Sequence, residues 1–524
     1  MSLSNAPLRS ESAGRWALVW ALCLTLGAAS APVRAQDAEL SPEQQAFQEV
    51  MQKGQAELDA KEFDAAVETF SQALQASGGF NPGPFVGRAK AYLGLKEFDA
   101  ALEDLREAFQ YGQTVPGLIP LAQNVRGEVY MEMGAYDLAM TDLEAAVAAD
   151  RSNPDIQFNL GKVYTKLGGA TQGEKALTKF IGVAKEEDER LAEAYQLRAE
   201  AYAGMGKFEE ATADISRSLE LDDTGHQSHF TQAVVLLQQK KYAEAAESLK
   251  KAIAAYKPKE GQDENIPFIE AYLARASALE ESGKETSDPA ASKAFYAEEE
   301  AAVEALLGLL PDRQDMAPAK AASLFRLGVA QRLQGKLADA VKSFSEALEL
   351  NPAMGEAYFR RGVCFFYMQE YQLAAGDFEQ AAAINFDNPR SNLWLGRTWA
   401  KLGDYRRAVR AYGAAVAVSD RYVDAYVGRG LANMRLGEYD NAVEDFNQAI
   451  RIRPTQARHY YYRALAYEAL GEVDKAARSL MTAIEFDEKL IEAYAPLADI
   501  LESAGRPTLA REYRQKAARL GADK

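Results

Sequence analysis

Few residues in this chain have the types and spacing that catalysis or metal binding requires. There are three histidines, and His226 and His229 stand three residues apart, which would place both on one face of a helix at a distance compatible with a metal ion. A zinc site needs three or four ligands. No second pair accompanies them and His229 falls on the apolar side of its own helix, so no metal is expected. Carboxylates gather in runs such as Glu186, Glu187, Asp188 and Glu189, the pattern of a solvated helix face rather than of a matched acid and base. Cys23 and Cys364 are the two cysteines. Cys364 lies within an apolar helix, where a packed thiol is expected rather than a reactive one. No glycine-rich phosphate loop, nucleophile elbow or zinc signature is present. The expectation is a non-catalytic protein that uses no cofactor.

One spacing does recur. Arg88, Arg126, Arg198, Arg361 and Arg429 are each followed sixteen residues later by an aspartate: Asp104, Asp142, Asp214, Asp377 and Asp445. Where leucine replaces the arginine, at Leu160, Leu327, Leu395 and Leu497, the partner position holds Ala176, Ser343, Ala411 and Tyr513. Arg463, with Ser479, departs from the rule. A partly buried guanidinium needs a carboxylate to receive its fork of donors. The co-occurrence therefore predicts an ion pair between two neighbouring helices, a structural use of arginine.

The elements that hold these residues repeat. Residues 321–524 divide into six consecutive blocks of 34, beginning at 321, 355, 389, 423, 457 and 491. Each has a small residue at place 8, alanine at place 20 (Ala340, Ala374, Ala408, Ala442, Ala476, Ala510) and a small residue at place 27. Places 4, 7, 8 and 11 share one face of a first helix, and places 20, 24 and 27 one face of a second, with a glycine between them in "LGDYRRA" and "LGEYDNA". Small residues at places 8 and 20 suggest close backbone approach, as at Gly362 with Ala374 and Gly430 with Ala442. A lone hairpin cannot bury its apolar stripe, so the hairpins must stack.

Period and pattern together resemble the tetratricopeptide repeat. The resemblance implies an all-α, right-handed solenoid of antiparallel helical hairpins. The same template marks second-helix starts at Phe63, Phe98, Tyr136, Phe208 and Tyr242, with a degenerate unit over 154–187 and a further unit beginning near Ile269. The expected total is about thirteen. Residues 284–320, broken by Pro289, Pro311 and Pro318, read as an insertion plus an extended second helix, and as the best place for a boundary between an array over 36–283 and the regular array over 321–524.

Residues 1–35 carry Arg9 and Arg15, then the apolar run "WALVWALCLTLGAAS", then Val33, Arg34 and Ala35. This reads as a secretory signal peptide cut before Gln36, with an uncleaved anchor as the alternative. An exported, periplasmic or extracellular protein is expected. Charge is divided: residues 36–320 carry 28 Lys and Arg against 50 Asp and Glu, whereas residues 321–524 carry 28 against 26. The acidic part would repel a phosphate backbone, which excludes nucleic acid there.

In the tetratricopeptide family, places 2, 5, 6, 9, 12 and 13 of the first helix line a groove that holds peptides. Here those places include Phe325, Arg326, Arg332, Phe359, Arg360, Phe366 and Tyr367. Further along they include Arg390, Trp394, Arg397, Lys401, Arg435, Tyr461 and Tyr462. Arginine and aromatic side chains are the commonest interface anchors, so the expected partner is a protein or peptide, acidic in character. The family's carboxylate clamp is not matched, because place 9 holds Val329, Val363, Arg397, Leu431 and Leu465 rather than asparagine. The alternative function is a structural component of an envelope assembly that works through convex faces and edges.

Overall fold

A computed structural model describes residues 41–258 and 266–522; the signal peptide expected at 1–35 lies outside the described residues. Among the described residues the chain is all-helical, with 26 α-helices, two single-turn 3-10 segments and no strand. Consecutive helices pair into thirteen hairpins, from Pro42–Asp59 with Phe63–Ala76 to Tyr494–Ser503 with Pro507–Ala522. Among the described residues they form two compact units, divided between Tyr256 and Lys257. The first holds hairpins one to six and the second hairpins seven to thirteen, each a solenoid of stacked hairpins.

The division therefore falls ahead of residues 284–320, where the sequence suggested it. That stretch forms the second helix of the seventh hairpin, Pro289–Leu309, then the turn Gln314–Met316 and the start of the helix Ala317–Leu333. Ala302, Val303 and Leu306 bury the long helix within its unit, which makes it part of the stack.

Local chemistry fixes the helix boundaries. Pro82, Pro154 and Pro389 occupy first-turn positions where a missing N–H costs nothing, and Asn81, Asn153 and Asn388 accept the free N–H groups of those turns. Between the helices of a hairpin one residue must adopt a left-handed conformation, which Gly403 (φ 80°) and Gly471 (φ 76°) reach without strain. Gln369 takes the same turn position with φ 65°. Gln369→Gly is expected to stabilise the second unit by about 1 kcal/mol, read as a higher urea midpoint by circular dichroism. An unchanged or lower midpoint would mean that the glutamine side chain offsets its backbone strain.

The core repeats with the sequence. The place 20 alanines are at most 1% exposed, and Phe344, Phe378 and Phe446 at place 24 are fully buried. The close approach at place 8 differs from the expectation. A Cβ on Gly362 would meet the Phe378 ring at 3.0 Å, and one on Gly430 the Phe446 ring at 2.8 Å. Glycine there admits an aromatic ring rather than the alanine backbone, because the ring at place 24 projects across the hairpin.

Candidate functional site

All five predicted arginine–aspartate pairs form, and each arginine reaches both oxygens of its aspartate. Nε and Nη2 of Arg88 donate to Asp104 at 2.8 and 2.7 Å, and those of Arg126 to Asp142 at 2.7 and 2.6 Å. Arg198 meets Asp214 at 2.7 and 2.8 Å, and Arg361 meets Asp377 at 2.9 and 2.7 Å. Arg429 meets Asp445 at 3.0 and 2.7 Å, with Asn433 adding a third donor at 3.1 Å. The aspartate hydrogen bonds hold the guanidinium groups of Arg88, Arg126, Arg361 and Arg429 above their ordinary pKa. These residues tie the two helices of a hairpin together and are not available for binding.

The sequence reading missed a third arm. Nη1 of Arg88, Arg198 and Arg361 reaches back to the preceding repeat, to Ser71 (3.0 Å), Thr178 (3.1 Å) and Ser345 (2.9 Å). Arg463, which lacks an aspartate, uses the same arm on Asn447 at 2.8 Å and bonds Ser479 at 3.3 Å. A small polar residue at place 25 was the signal.

The first helices of successive hairpins also approach one another, as Gly355–Tyr367 does Pro389–Lys401 and Pro389–Lys401 does Val423–Leu436, so their outer faces join into one surface. The fourteen candidate residues sort along it. At its start Arg326 donates to Glu280 at 2.6 Å and Arg360 to Glu356 at 2.8 Å. The Arg360 guanidinium lies over the ring of Phe325. Arg332 is half-buried, and burial, followed by the charge of Arg360, lowers its pKa. Next comes an aromatic cluster: Trp394 packs edge-on to Phe366 at 5.2 Å and Tyr367 at 6.1 Å, and near Phe359 at 6.5 Å. Arg390 sits 4.5 Å above Phe359 and Arg397 5.3 Å above Trp394. Phe359 is only 5% exposed, so its main role is packing. Tyr461 lies tilted against Tyr462, ring centres 5.7 Å apart, and packs against the core of the last two hairpins.

A cavity of about 490 Å³ follows, between the first helices of hairpins ten to twelve. It gathers five of the candidates, Phe366, Arg397, Lys401, Arg435 and Tyr462, with Tyr405, Tyr412, Gly428, Leu431 and Leu465. The other nine candidates do not line it. On the corresponding face of the first unit several polar side chains satisfy one another: Asn159 donates to Asn124 (3.0 Å) and Glu128 (2.7 Å), and Gln196 to Thr231 (2.8 Å).

Sequence models described as "Tetratricopeptide repeat" match residues 197–260, 321–354, 393–457 and 457–490, and one described as "TPR repeat" matches 127–168. The chain is a tetratricopeptide repeat protein. DnaJ homolog subfamily C member 3 of Rattus norvegicus is 29% identical over 161 residues, 29% of this chain, and the match spans about a third (32%) of that protein's length. Among solved structures, the MamA protein is 24% identical, covering 33% of this chain and 94% of its own, with a TM-score of 0.32. The APC/C hetero-tetramer Cut9-Hcn1 is 15% identical, covering 93% and 95%, with a TM-score of 0.34. The coarse function that accompanies the repeats is that of a protein-interaction scaffold.

Within this tetratricopeptide repeat protein one buried acid stands apart. Glu299, on the long helix of the seventh hairpin, is fully buried, and among the described residues neither carboxyl oxygen has a hydrogen-bond partner. Glu280 beside it is paired with Lys284 at 2.7 Å as well as with Arg326. Burial, then the charge of Glu280, pushes the Glu299 carboxyl up to about 8. Cys364 is fully buried and its thiol is pushed up to about 11 by burial, which makes it unreactive at neutral pH. Among the described residues no cluster of three or more metal-ligating side chains occurs, and no helix is long and apolar enough to cross a membrane.

Proposed function

We propose that this protein is an exported, non-catalytic scaffold of the cell envelope that holds an extended, acidic segment of a partner protein along the first-helix face of its second unit. Export rests on the residue pattern of 1–35. The observation that carries the binding reading is the company kept by the cations on that face. Arg397 reaches Asp424 only at 3.5 Å, and among the described residues Lys401 and Arg435 have no carboxylate partner, while aromatic rings surround all three. Two unpaired cations and one held at the limit of an ion pair, over apolar surface, favour acidic partners and accelerate their association at low salt.

The test is capture from an envelope extract by the unmutated chain, by Arg397→Glu and by Trp394→Ala/Arg397→Glu. The Arg397 side chain is 40% exposed, so its charge reversal leaves the core intact. A protein held by the unmutated chain, released as salt rises and captured at least tenfold less by Arg397→Glu, is the expected result. Equal capture by all three baits would remove this face from the function and return the assembly reading through convex faces and edges.

A further inference from the structure

The cavity between hairpins ten and twelve has a cause that can be read residue by residue. Place 6 points from the first helix into the shared face, and it holds Arg326, Arg360, Trp394 and Tyr462 in four of the blocks. In the eleventh hairpin it is Gly428. A Cβ there would lie 2.6 Å from Cε1 and Cζ of Tyr412, so the ring of Tyr412 excludes any side chain at that point. One large side chain is thus missing from the row, between Trp394 and Tyr462, and the space it would have filled stays open. The floor is Tyr412, Ala432 and Leu465, with Leu431 at the lip, 38% exposed. Tyr412 stands where Phe344, Phe378 and Phe446 stand in neighbouring hairpins, and its hydroxyl has no protein partner among the described residues. A single polar handle in an apolar floor is therefore available to an occupant.

Around that floor three cations converge. Arg435 donates to the hydroxyl of Tyr405 at 3.2 Å and lies over its ring at 5.5 Å, which fixes the guanidinium without neutralising it. Lys401 is exposed. Arg397 is held against Trp394. The volume falls within the range of about 300–1,000 Å³ in which pockets bury small groups well.

We propose that this cavity receives one aromatic or long aliphatic side chain of the bound segment, and that the residues flanking that side chain carry carboxylates that meet Arg397, Lys401 and Arg435. The proposal rests on the groove reading above and adds to it the anchor and its flanks. Buried apolar anchors supply most of an interface's affinity, and a rim of like charge selects among partners that share the anchor. Basic flanks are repelled.

The experiment measures fluorescence anisotropy of fluorescein-labelled pentapeptides titrated with the full chain at low salt. One peptide has a central phenylalanine between pairs of acidic residues; a second has glutamine at the centre; a third keeps the phenylalanine between serines. The first is expected to bind about tenfold or more tighter than either control. Leu431→Trp, which fills the cavity from its exposed lip, and Lys401→Glu/Arg435→Glu, which reverses the rim, should each weaken the first peptide about tenfold. Circular dichroism establishes that both variants are folded.

Equal affinity for the glutamine or serine peptides, or undiminished binding by folded Leu431→Trp, would overturn the proposal. So would the absence of peptide binding by a chain that still captures a protein through Arg397. That last result leaves the groove reading standing, whereas loss of Arg397-dependent capture alongside intact binding of the acidic phenylalanine peptide would spare the cavity and sink the wider groove.

Discussion

Replacing Arg429 with leucine is expected to destabilise the second unit by about 4 kcal/mol, and replacing Asp445 with alanine by roughly half as much. The asymmetry follows from burial. The Asp445 side chain is 4% exposed and keeps only Asn433 once the guanidinium is gone, which strands a charge away from water. The Arg429 side chain is 27% exposed and can turn its head toward solvent when the carboxylate is removed. The double variant should recover much of the loss, because leucine with alanine is the pairing already used at Leu395 and Ala411. Urea unfolding of the four proteins gives the coupling free energy, expected at about 3 kcal/mol, so that the double variant loses less than Arg429→Leu alone. Additive losses would mean that the staple holds nothing and that each residue acts on its own surroundings.

Glu299→Gln is expected to change the pH dependence of stability more than any other single substitution in the second unit. The ordinary glutamate value of 4.5 applies to the unfolded chain, and the folded value is about 8. The folded state therefore holds this proton more tightly. Its contribution is complete below pH 4.5 and is lost as pH rises toward about 8, where the bare carboxylate is buried without a partner. Stability of the variant relative to the natural chain should grow by roughly 1.4 kcal/mol per pH unit across that window, on the order of 5 kcal/mol in total. The charged groups that face Glu299 do not confound the measurement. Hydrogen bonds to Glu280 and Glu281 hold Lys284 above its ordinary pKa despite its burial, and Glu280, despite its own burial, has its pKa lowered by Lys284 and Arg326 and titrates below the window. Urea midpoints of both proteins at pH 5, 6.5 and 8 decide it. A difference that does not move with pH would show that water or a cation reaches the carboxyl.

The thirteen hairpins, their turn glycines and the arginine staples were legible without coordinates. Each depends on contacts inside one repeat, and those contacts return every 34 residues. The Arg88–Asp104 and Arg429–Asp445 pairs could be named because the hairpin sets positions sixteen apart side by side in every copy. The sequence also marked the basic and aromatic character of the first-helix face, since places on a helix follow from its period.

Tertiary structure decided what each residue on that face is free to do. Arg326 was a binding candidate until Glu280, forty-six residues earlier in the chain, was seen to occupy it; nothing in a 34-residue period announces such a partner. The cavity depends on an absence, the missing side chain at Gly428, and on the ring of Tyr412 from the preceding hairpin that enforces it. Glu299 looked like any other acid in "AEEEAAVEA", and only the packing of the long helix Pro289–Leu309 took it out of water. Periodicity determines which residues share a face of their own helix. What lies opposite that face belongs to the neighbouring repeats, and their identities vary where the repeat pattern is silent.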